Sequence, residues 1–560
     1  MNNSLLWISY SVLLWSLFPP FLLAQQHTPT RYSLHYVQFK DKACGEYSVF
    51  HPQEFLSARA LERRQWQGVS ITSQDLPVCT NYCQAVAQLG VTLRGSSKWL
   101  NAVAIHTQDV ALLDSIATLP FVTSVEPLGF HRKVSPGKLY TKRPRIDSSQ
   151  HQPNPYGLAA AQIKRHRGHF LHELGFRGQG IHLAVVDAGF SNAYRMAVFD
   201  SVYQQGRVLG MQDFVEGDTF VYESSAHGNS VWSVLAANQP HLMIGTAPEA
   251  SYYLLKAEDV RGEYPAEEFY WLLAAEFADS VGVDIINSSM GYHAFRNPAF
   301  SYQKEDLNGQ TALISRAATW ASSKGILIVN AAGNEGHKPW QTLAAPADVA
   351  AVLTVAASDP NHQKANFSAV GPTADGRLKP DVAALGTATA YASMVRYEVG
   401  LGEGTSYACP VIAGLTAALK QAYPKVKNSL LHQIICASGH QAQQPDTLLG
   451  YGLPNFWKAY QLLADSSIFI DRMGQIDQKF RLVNKQLHVY VEHKNVEAED
   501  TVLNLQVMDL QGNPCGQKKA WLRAGQINKI SLGDLDVCGK GVLALRLEYA
   551  NQVHWLRLLR

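Results

Sequence analysis

Gly404-Thr405-Ser406-Tyr407-Ala408-Cys409-Pro410, running into Val411-Ile-Ala-Gly-Leu-Thr-Ala-Ala-Leu-Lys420, is the stretch on which the reading of the chain turns. A serine flanked by glycine stands at the mouth of a run whose apolar residues recur at helical spacing. The first turn of a helix leaves backbone N–H groups unpaired and carries the positive end of the helix dipole, which favours negative charge beside the hydroxyl. Taken alone, Ser406 reads as a helix N-cap. To act as a nucleophile it needs a base to take its proton, and the residues upstream decide whether one is supplied.

From Tyr156 to about Asp465 the chain alternates short apolar runs with helical patterns. The runs are Ile181–Val186, Tyr252–Leu255, Val283–Asn287, Gly325–Val329 and Val352–Val355, with helices expected over Phe269–Val281 and Thr311–Lys324. Near-continuous apolar strands separated by helices imply a parallel sheet covered on both faces, with its chemistry beyond the carboxyl ends of the strands. Asp187 follows the first run directly, His227 opens the helical stretch Val231–Ala237, and Asn334 lies in the turn Asn330-Ala-Ala-Gly-Asn-Glu-Gly336 after the fourth run. Each has an ordinary explanation in isolation: a turn-forming Asp before Gly, a core or surface histidine, an Asn with positive φ. Together they give Asp, His, Asn and Ser in that order, each at a strand end or helix start of one α/β domain. The α/β-hydrolase elbow, Gly-x-Ser-x-Gly, is disfavoured because Ala408 replaces its second glycine.

The order, with Val185-Val-Asp187-Ala-Gly, His227-Gly, Gly245-Thr-Ala-Pro248, Ile286-Asn-Ser-Ser-Met-Gly291, Ala332-Gly-Asn-Glu-Gly336, Lys379-Pro-Asp-Val-Ala383 and Gly404–Pro410, resembles the subtilisin-like serine proteases, the subtilases. The resemblance implies a doubly wound parallel α/β sheet over residues 156–465 and a catalytic group of Asp187, His227 and Ser406. It implies an oxyanion hole from Asn334 and the Ser406 N–H, and substrate contacts from Ser289, Met290 and Gly291 on one side and Ala331, Ala332 and Gly333 on the other. Four departures bear on it: Ala188 in place of a Thr or Ser after the aspartate, Asn229-Ser230 after His-Gly, Glu403 before Gly-Thr-Ser, and Tyr292 where a second glycine is usual. Tyr292 is expected to narrow the cleft and Glu403 to alter its charge, which affects substrate preference.

The flanking segments take meaning from this core. Residues 27–130 read as a small α+β sandwich and resemble, in pattern and with Trp99-Leu-Asn-Ala-Val, the inhibitor-like (ferredoxin-like) propeptides of subtilases. Residues 131–155, rich in Pro, Ser, Lys, Arg and Gln, read as a linker and maturation region. Residues 468–560 carry β patterning with Gly-Asn and Gly-Asp turns, read as a β-sandwich, and resemble the sorting domains of the Bacteroidetes type IX secretion route. The usual lysine-rich ending is replaced there by Trp555-Leu-Arg-Leu-Leu-Arg560.

At the amino end Leu5–Phe18, broken by Pro19-Pro20, reads as the apolar part of a signal peptide over residues 1–24, which places the protein outside the cell or on its surface. It is too short to span a bilayer as a helix, although an n-region without Lys or Arg leaves an uncleaved anchor as the alternative. Within 560 residues of net charge +2, no basic stripe interleaved with aromatics points to nucleic acid. Cysteines 44, 79, 83, 409, 436, 515 and 538 lack zinc-finger spacing; disulfides can form within the N-terminal section and between Cys515 and Cys538, and the sequence alone does not assign them. No cofactor is expected; the resemblance leaves structural calcium open, since subtilases often bind it, but no loop here carries a convincing ligand run. The reading is a secreted, self-maturing serine endopeptidase whose partners are peptide substrates, its own propeptide and the secretion machinery. A catalytically inactive binding module and a narrow processing protease are the alternatives.

Overall fold

The computed structural model describes residues 33–130, 151–394 and 398–468, and within 480–559 a set of strands. The signal segment 1–24, most of the linker, and the Cys515–Cys538 pairing lie outside the described residues.

The N-terminal unit runs β1 (Leu34–Phe39), α1 (Ala58–Gln67), α2 (Thr80–Gln88), β2 (Thr92–Ser97), β3 (Ala102–His106), α3 (Val110–Ala117) and β4 (Val122–Gly129). Its sheet is antiparallel in the order β2-β3-β1-β4. α1 and α3 start on Ser57 and Asp109, whose side chains accept a first-turn N–H. Cys44 and Cys79 form a disulfide. Alternation along β3 sorts its residues by size. Val103 and Ile105 point into the unit's own core with Val37, Val86 and Ile116, whereas Ala102 and Ala104 face the other way. That second face is not solvated: it lies on a helix of the next unit.

The central unit opens with α4 (Ala160–Arg165) and α5 (Gly168–Glu173), then β5 (His182–Asp187), α6 (Asp200–Gln204), β6 (Val208–Asp213), α7 (His227–Ala236) and the short hairpin β7 (Asn238–Gln239) and β8 (Met243–Ile244). It continues through β9 (Ser251–Lys256), α8 (Ala266–Val281), β10 (Ile285–Ser288), α9 (Leu313–Ser323), β11 (Leu327–Ala331), β12 (Leu353–Ser358) and β13 (Val382–Leu385). A hairpin of β14 (Thr389–Ser393) and β15 (Glu398–Gly402) precedes α10 (Thr405–Ala422), α11 (Asn428–Ala437) and α12 (Phe456–Ile468). The main sheet has seven parallel strands in the order β13-β12-β11-β10-β5-β9-β6. Chain order reverses around β5, so its carboxyl end lies at the crevice where such sheets hold ligands.

α10 packs under one face of this sheet and is buried almost throughout, as an all-round apolar helix requires. α8 and α9 cover the other face. α8 is buried on both sides, against the sheet and against the β1–β4 sheet, through Phe269, Tyr270 and Leu273 with Leu34, Trp99 and Leu100. Beyond α12, β16 (Phe480–Val483), β17 (Gln486–Tyr490) and β20 (Ile527–Ser531) form one antiparallel sheet. β18 (Thr501–Met508), β19 (Pro514–Leu522), β21 (Val542–Tyr549) and β22 (Gln552–Leu559) form another.

Candidate active site

Asp187 is the last residue of β5 and His227 the first of α7, and the fold brings them together. His227 Nδ1 lies 2.8 Å from Asp187 Oδ1, which also accepts the Ala188 N–H at 2.8 Å. The carboxylate is 1% exposed and the imidazole 37%, so the pair has a dry end and a wet end. Asp187 Oδ2 is buried with no hydrogen-bond partner among the described residues, and Ala188 offers no hydroxyl to it. Gly189 lets the loop before α7 lie close: at φ 135°, a Cβ here would meet the Glu223 carbonyl at 2.4 Å.

The negative charge of Asp187 raises the His227 pKa above its ordinary value, and the hydrogen bond between them acts in the same direction against burial. Glu258, just past β9, adds to it. Its own carboxyl is pushed up, first by burial and then by the charge of Asp187.

Ser406 is the second residue of α10 and is 8% exposed. Gly404 precedes the helix at φ 149°, a conformation that L side chains rarely adopt. Pro410 lies in the second turn of α10, where its missing N–H frees the carbonyl of Ser406. That carbonyl accepts instead from Ser289 Oγ at 3.1 Å, which ties the serine turn to the end of β10. The start of α7 lies alongside: Ser230, one turn after His227, meets the Tyr407 hydroxyl.

Asn334 is exposed, in the loop after β11. Its Oδ1 accepts from Thr405 N at 2.9 Å and Thr405 Oγ1 at 3.0 Å. With the oxygen so engaged, Nδ2 is left as the donor on the Gly404 side, 3.9 Å from where a Gly404 Cβ would stand.

The other sequence-derived residues line the same region unequally. Ser289, Met290 and Gly291 continue β10 past its last sheet partner, and Asn330 Nδ2 donates to the Met290 carbonyl at 3.2 Å. The Met290, Ala331 and Ala332 side chains are buried, so these residues offer a bound chain their backbone only. Gly333 N bonds to Thr405 Oγ1 at 3.3 Å. Tyr292 departs from expectation. Its ring is 3% exposed and packs inward with Phe295, so it forms a floor instead of narrowing the cleft.

Sequence reasoning passed over the seam between the first two units. Asp279 on α8 is paired with Arg63 at 2.5 Å, Arg64 at 2.7 Å and Lys98 at 3.2 Å, all from the N-terminal unit. Glu276, one turn earlier, accepts from Ser97 Oγ at 2.5 Å, Lys98 N at 2.8 Å and Trp99 N at 2.9 Å. Lys324 returns the pairing, reaching Asp75 at 3.1 Å. Two acids a turn apart, Glu276 and Asp279, following the apolar stretch Phe269–Ala275 of α8 were the available signal.

Among the described residues one group has the make-up of a metal site, Asp381 with His432 and Cys436. Lys379 Nζ already occupies that carboxylate at 2.5 Å, and burial pushes the Cys436 thiol up, which disfavours a thiolate ligand. The cluster suits a buried ion pair better than a divalent ion.

The Subtilase family model matches residues 178–452, and the Peptidase S8 propeptide domain of Bacteroidota matches residues 34–144. Subtilisin NAT of Bacillus subtilis subsp. natto is 31% identical over 301 residues, covering 53% of this chain and 69% of the relative. Subtilisin E of Bacillus subtilis (strain 168) matches to the same extent. A thermostable alkaline protease of Halalkalibacterium halodurans is 29% identical over 312 residues, covering 55% of this chain and 74% of the relative. A parallel sheet of seven strands, a propeptide unit ahead of it and this likeness to subtilisins lead to one conclusion: the chain belongs to the subtilase family and is a serine endopeptidase.

Proposed function

We propose that Ser406 is the nucleophile, His227 the general base, Asp187 its orienting carboxylate and Asn334 the oxyanion donor of a peptide-bond hydrolase made as a zymogen. The single observation that carries this is the 2.8 Å contact of His227 Nδ1 with Asp187 Oδ1, since it leaves Nε2 as the basic nitrogen on the exposed side. Ser406 Oγ attacks the carbonyl carbon while its proton passes to His227 Nε2. The oxyanion takes hydrogen bonds from Asn334 Nδ2 and the Ser406 N–H, and the imidazolium returns the proton to the leaving amine. Water then releases the acyl group by the same steps in reverse, with His227 again as base. Asp187 holds the imidazolium without taking its proton. The backbones of 289–291 and 331–333 bind the substrate chain.

Residues 27–130 act as a ferredoxin-like intramolecular inhibitor on the catalytic domain 156–465, with cleavage within 131–155. Residues 1–24 direct export, and 468–560 form a β-sandwich recognised by the secretion machinery, giving a secreted or surface enzyme. Labelling of the processed protein by a fluorophosphonate probe tests the catalytic reading. Labelling and casein hydrolysis that vanish together in Ser406→Ala support it; an unlabelled wild type makes the protein a binding module.

A further inference from the structure

Where β2 of the N-terminal unit meets α8 and the edge strand β6, the two units enclose a cavity of about 410 Å³ with walls from both. Phe55, Val78 and Arg94 reach it from the N-terminal unit, and Phe214, Leu273 and Phe277 from the central one. Its volume lies within the range of sites that hold small organic molecules. Phe55, Phe214 and Phe277 are each only half-buried, so apolar surface is left there for an occupant to cover.

The charge of the cavity follows from what its polar walls have already committed. Glu276 is taken up by Ser97, Lys98 and Trp99. Asp213 accepts from Lys256 Nζ at 2.7 Å, Val215 N at 2.8 Å and Glu216 N at 3.0 Å. Lys98 Nζ is held by Asp279 at 3.2 Å and Ser280 Oγ at 2.8 Å, and Gln212 Nε2 donates to the Asp218 carbonyl at 2.7 Å. Beside the rim, Glu216 is engaged by Arg261 at 3.2 Å. Arg94 stands apart. It enters no ion pair among the described residues, and its Nε is buried without an acceptor among them. A guanidinium carries five N–H donors and no acceptor, so the one uncommitted wall group calls for an anion.

The backbone sends Arg94 here. Along the pairing of β2 with β3, Leu93 faces Ile105 and Gly95 faces Ala104, which makes Arg94 the extra residue of a β-bulge. A bulge re-aims the side chain it carries. Gly95 then lets the bulged strand lie down on α8, since a Cβ there would meet Leu273 Cδ1 at 2.8 Å. The bulge and the uncommitted guanidinium are independent observations that point to the same space.

We propose that this cavity binds an organic carboxylate with an apolar body, the carboxylate on Arg94 and the body against Phe55, Phe214 and Phe277. A guanidinium pairs with a carboxylate through two parallel N–H···O bonds, and aromatic walls suit a flat apolar body. Because both units supply the walls, the ligand binds while they are docked and holds them docked. It therefore prolongs latency. That consequence rests on the reading of the N-terminal unit as the inhibitor of a protease; the binding itself does not.

The test uses the full chain carrying Ser406→Ala, to keep it uncut, with 2-naphthoate as the probe and its neutral amide as the control, read by isothermal titration calorimetry. We expect the carboxylate to bind at one site about tenfold or more tightly than the amide, the scale of a hydrogen bond to a charged group. Arg94→Gln brings the two to within about twofold of each other. Ser96→Trp, which fills the cavity from its exposed rim and leaves Arg94 in place, weakens both. Melting of each variant without ligand reports on folding; if one does not fold, the other variant and the acid–amide ratio of the parent decide. Binding of neither compound, equal binding of the two, or binding that survives in both variants overturns the site. In the chain with Ser406 intact, activity appears when the N-terminal unit leaves, and naphthoate at ten times its Kd is expected to slow the onset of casein hydrolysis about tenfold, with no effect on enzyme already active. Undelayed onset with binding intact overturns the link to latency. A wild type that binds naphthoate and never cleaves casein upholds the site and overturns the protease reading.

Discussion

Two clusters of buried charge can be compared within this molecule, one in the cleft and one at the seam between the N-terminal unit and α8. Both centre on an aspartate with almost no exposure, Asp187 and Asp279. In the cleft the partner is one imidazole, 37% exposed. At the seam the partners are two guanidiniums and an ammonium, none more than 10% exposed. An under-neutralised, half-wet pair suits proton transfer. A fully neutralised one suits holding two surfaces together, and because ions regain hydration on separation it holds them less permanently than an apolar core of the same area. The seam thus fits a partner that must bind first and leave later.

The comparison breaks most clearly if the two clusters fail to separate by mutation. Ser406→Ala is expected to lower kcat by about 10⁶, the scale of removing this triad member in subtilisin, with the N-terminal unit still held at wild-type affinity in a pull-down with isolated 33–130. Asp187→Asn should cost about 10⁴ in kcat. It should also move the acid limb of the kcat/KM profile to lower pH: the base acts when neutral, and the charge of Asp187 is the first cause of its raised pKa. A limb that stays in place would mean that Asp187 does not set the base.

Asp279→Ala leaves Arg63, Arg64 and Lys98 buried without their shared anion, a loss of roughly 3–5 kcal/mol. Isolated 33–130 should therefore inhibit the processed enzyme about 10²–10³-fold more weakly, with kcat unchanged. Asn334→Ala should lower kcat by about 10²–10³, the scale of the corresponding donor in subtilisin, with KM little altered. Acid should have the smallest effect on the seam. The Asp279 pKa is lowered by Lys98, Arg63 and Arg64 against burial, and Asp75 is held down to about 2, chiefly by Arg64 against burial. A lowered carboxylate contributes fully above its ordinary range and loses that contribution only as pH falls through the folded value. Inhibition by 33–130 is thus expected to persist from neutral pH to about 4 wherever the enzyme still turns over; an earlier loss would point to other groups.

The sequence by itself determined the alternation of strands and helices from 156 to 465, the four candidate residues Asp187, His227, Asn334 and Ser406, and the α+β character of the N-terminal unit. These are legible because they are local. Apolar runs of fixed period bury themselves in only a few ways, and catalytic chemistry needs particular residue types in particular turns. Only the tertiary structure decided where the second face of β3 goes, since Ala102 and Ala104 read as small residues until α8 lies against them. It also decided that Tyr292 turns inward, and that Glu276 and Asp279 are buried acceptors and not a solvated helix face. In each case the deciding partner lies far off in the chain, and a charge or a small side chain takes its meaning from whichever surface meets it.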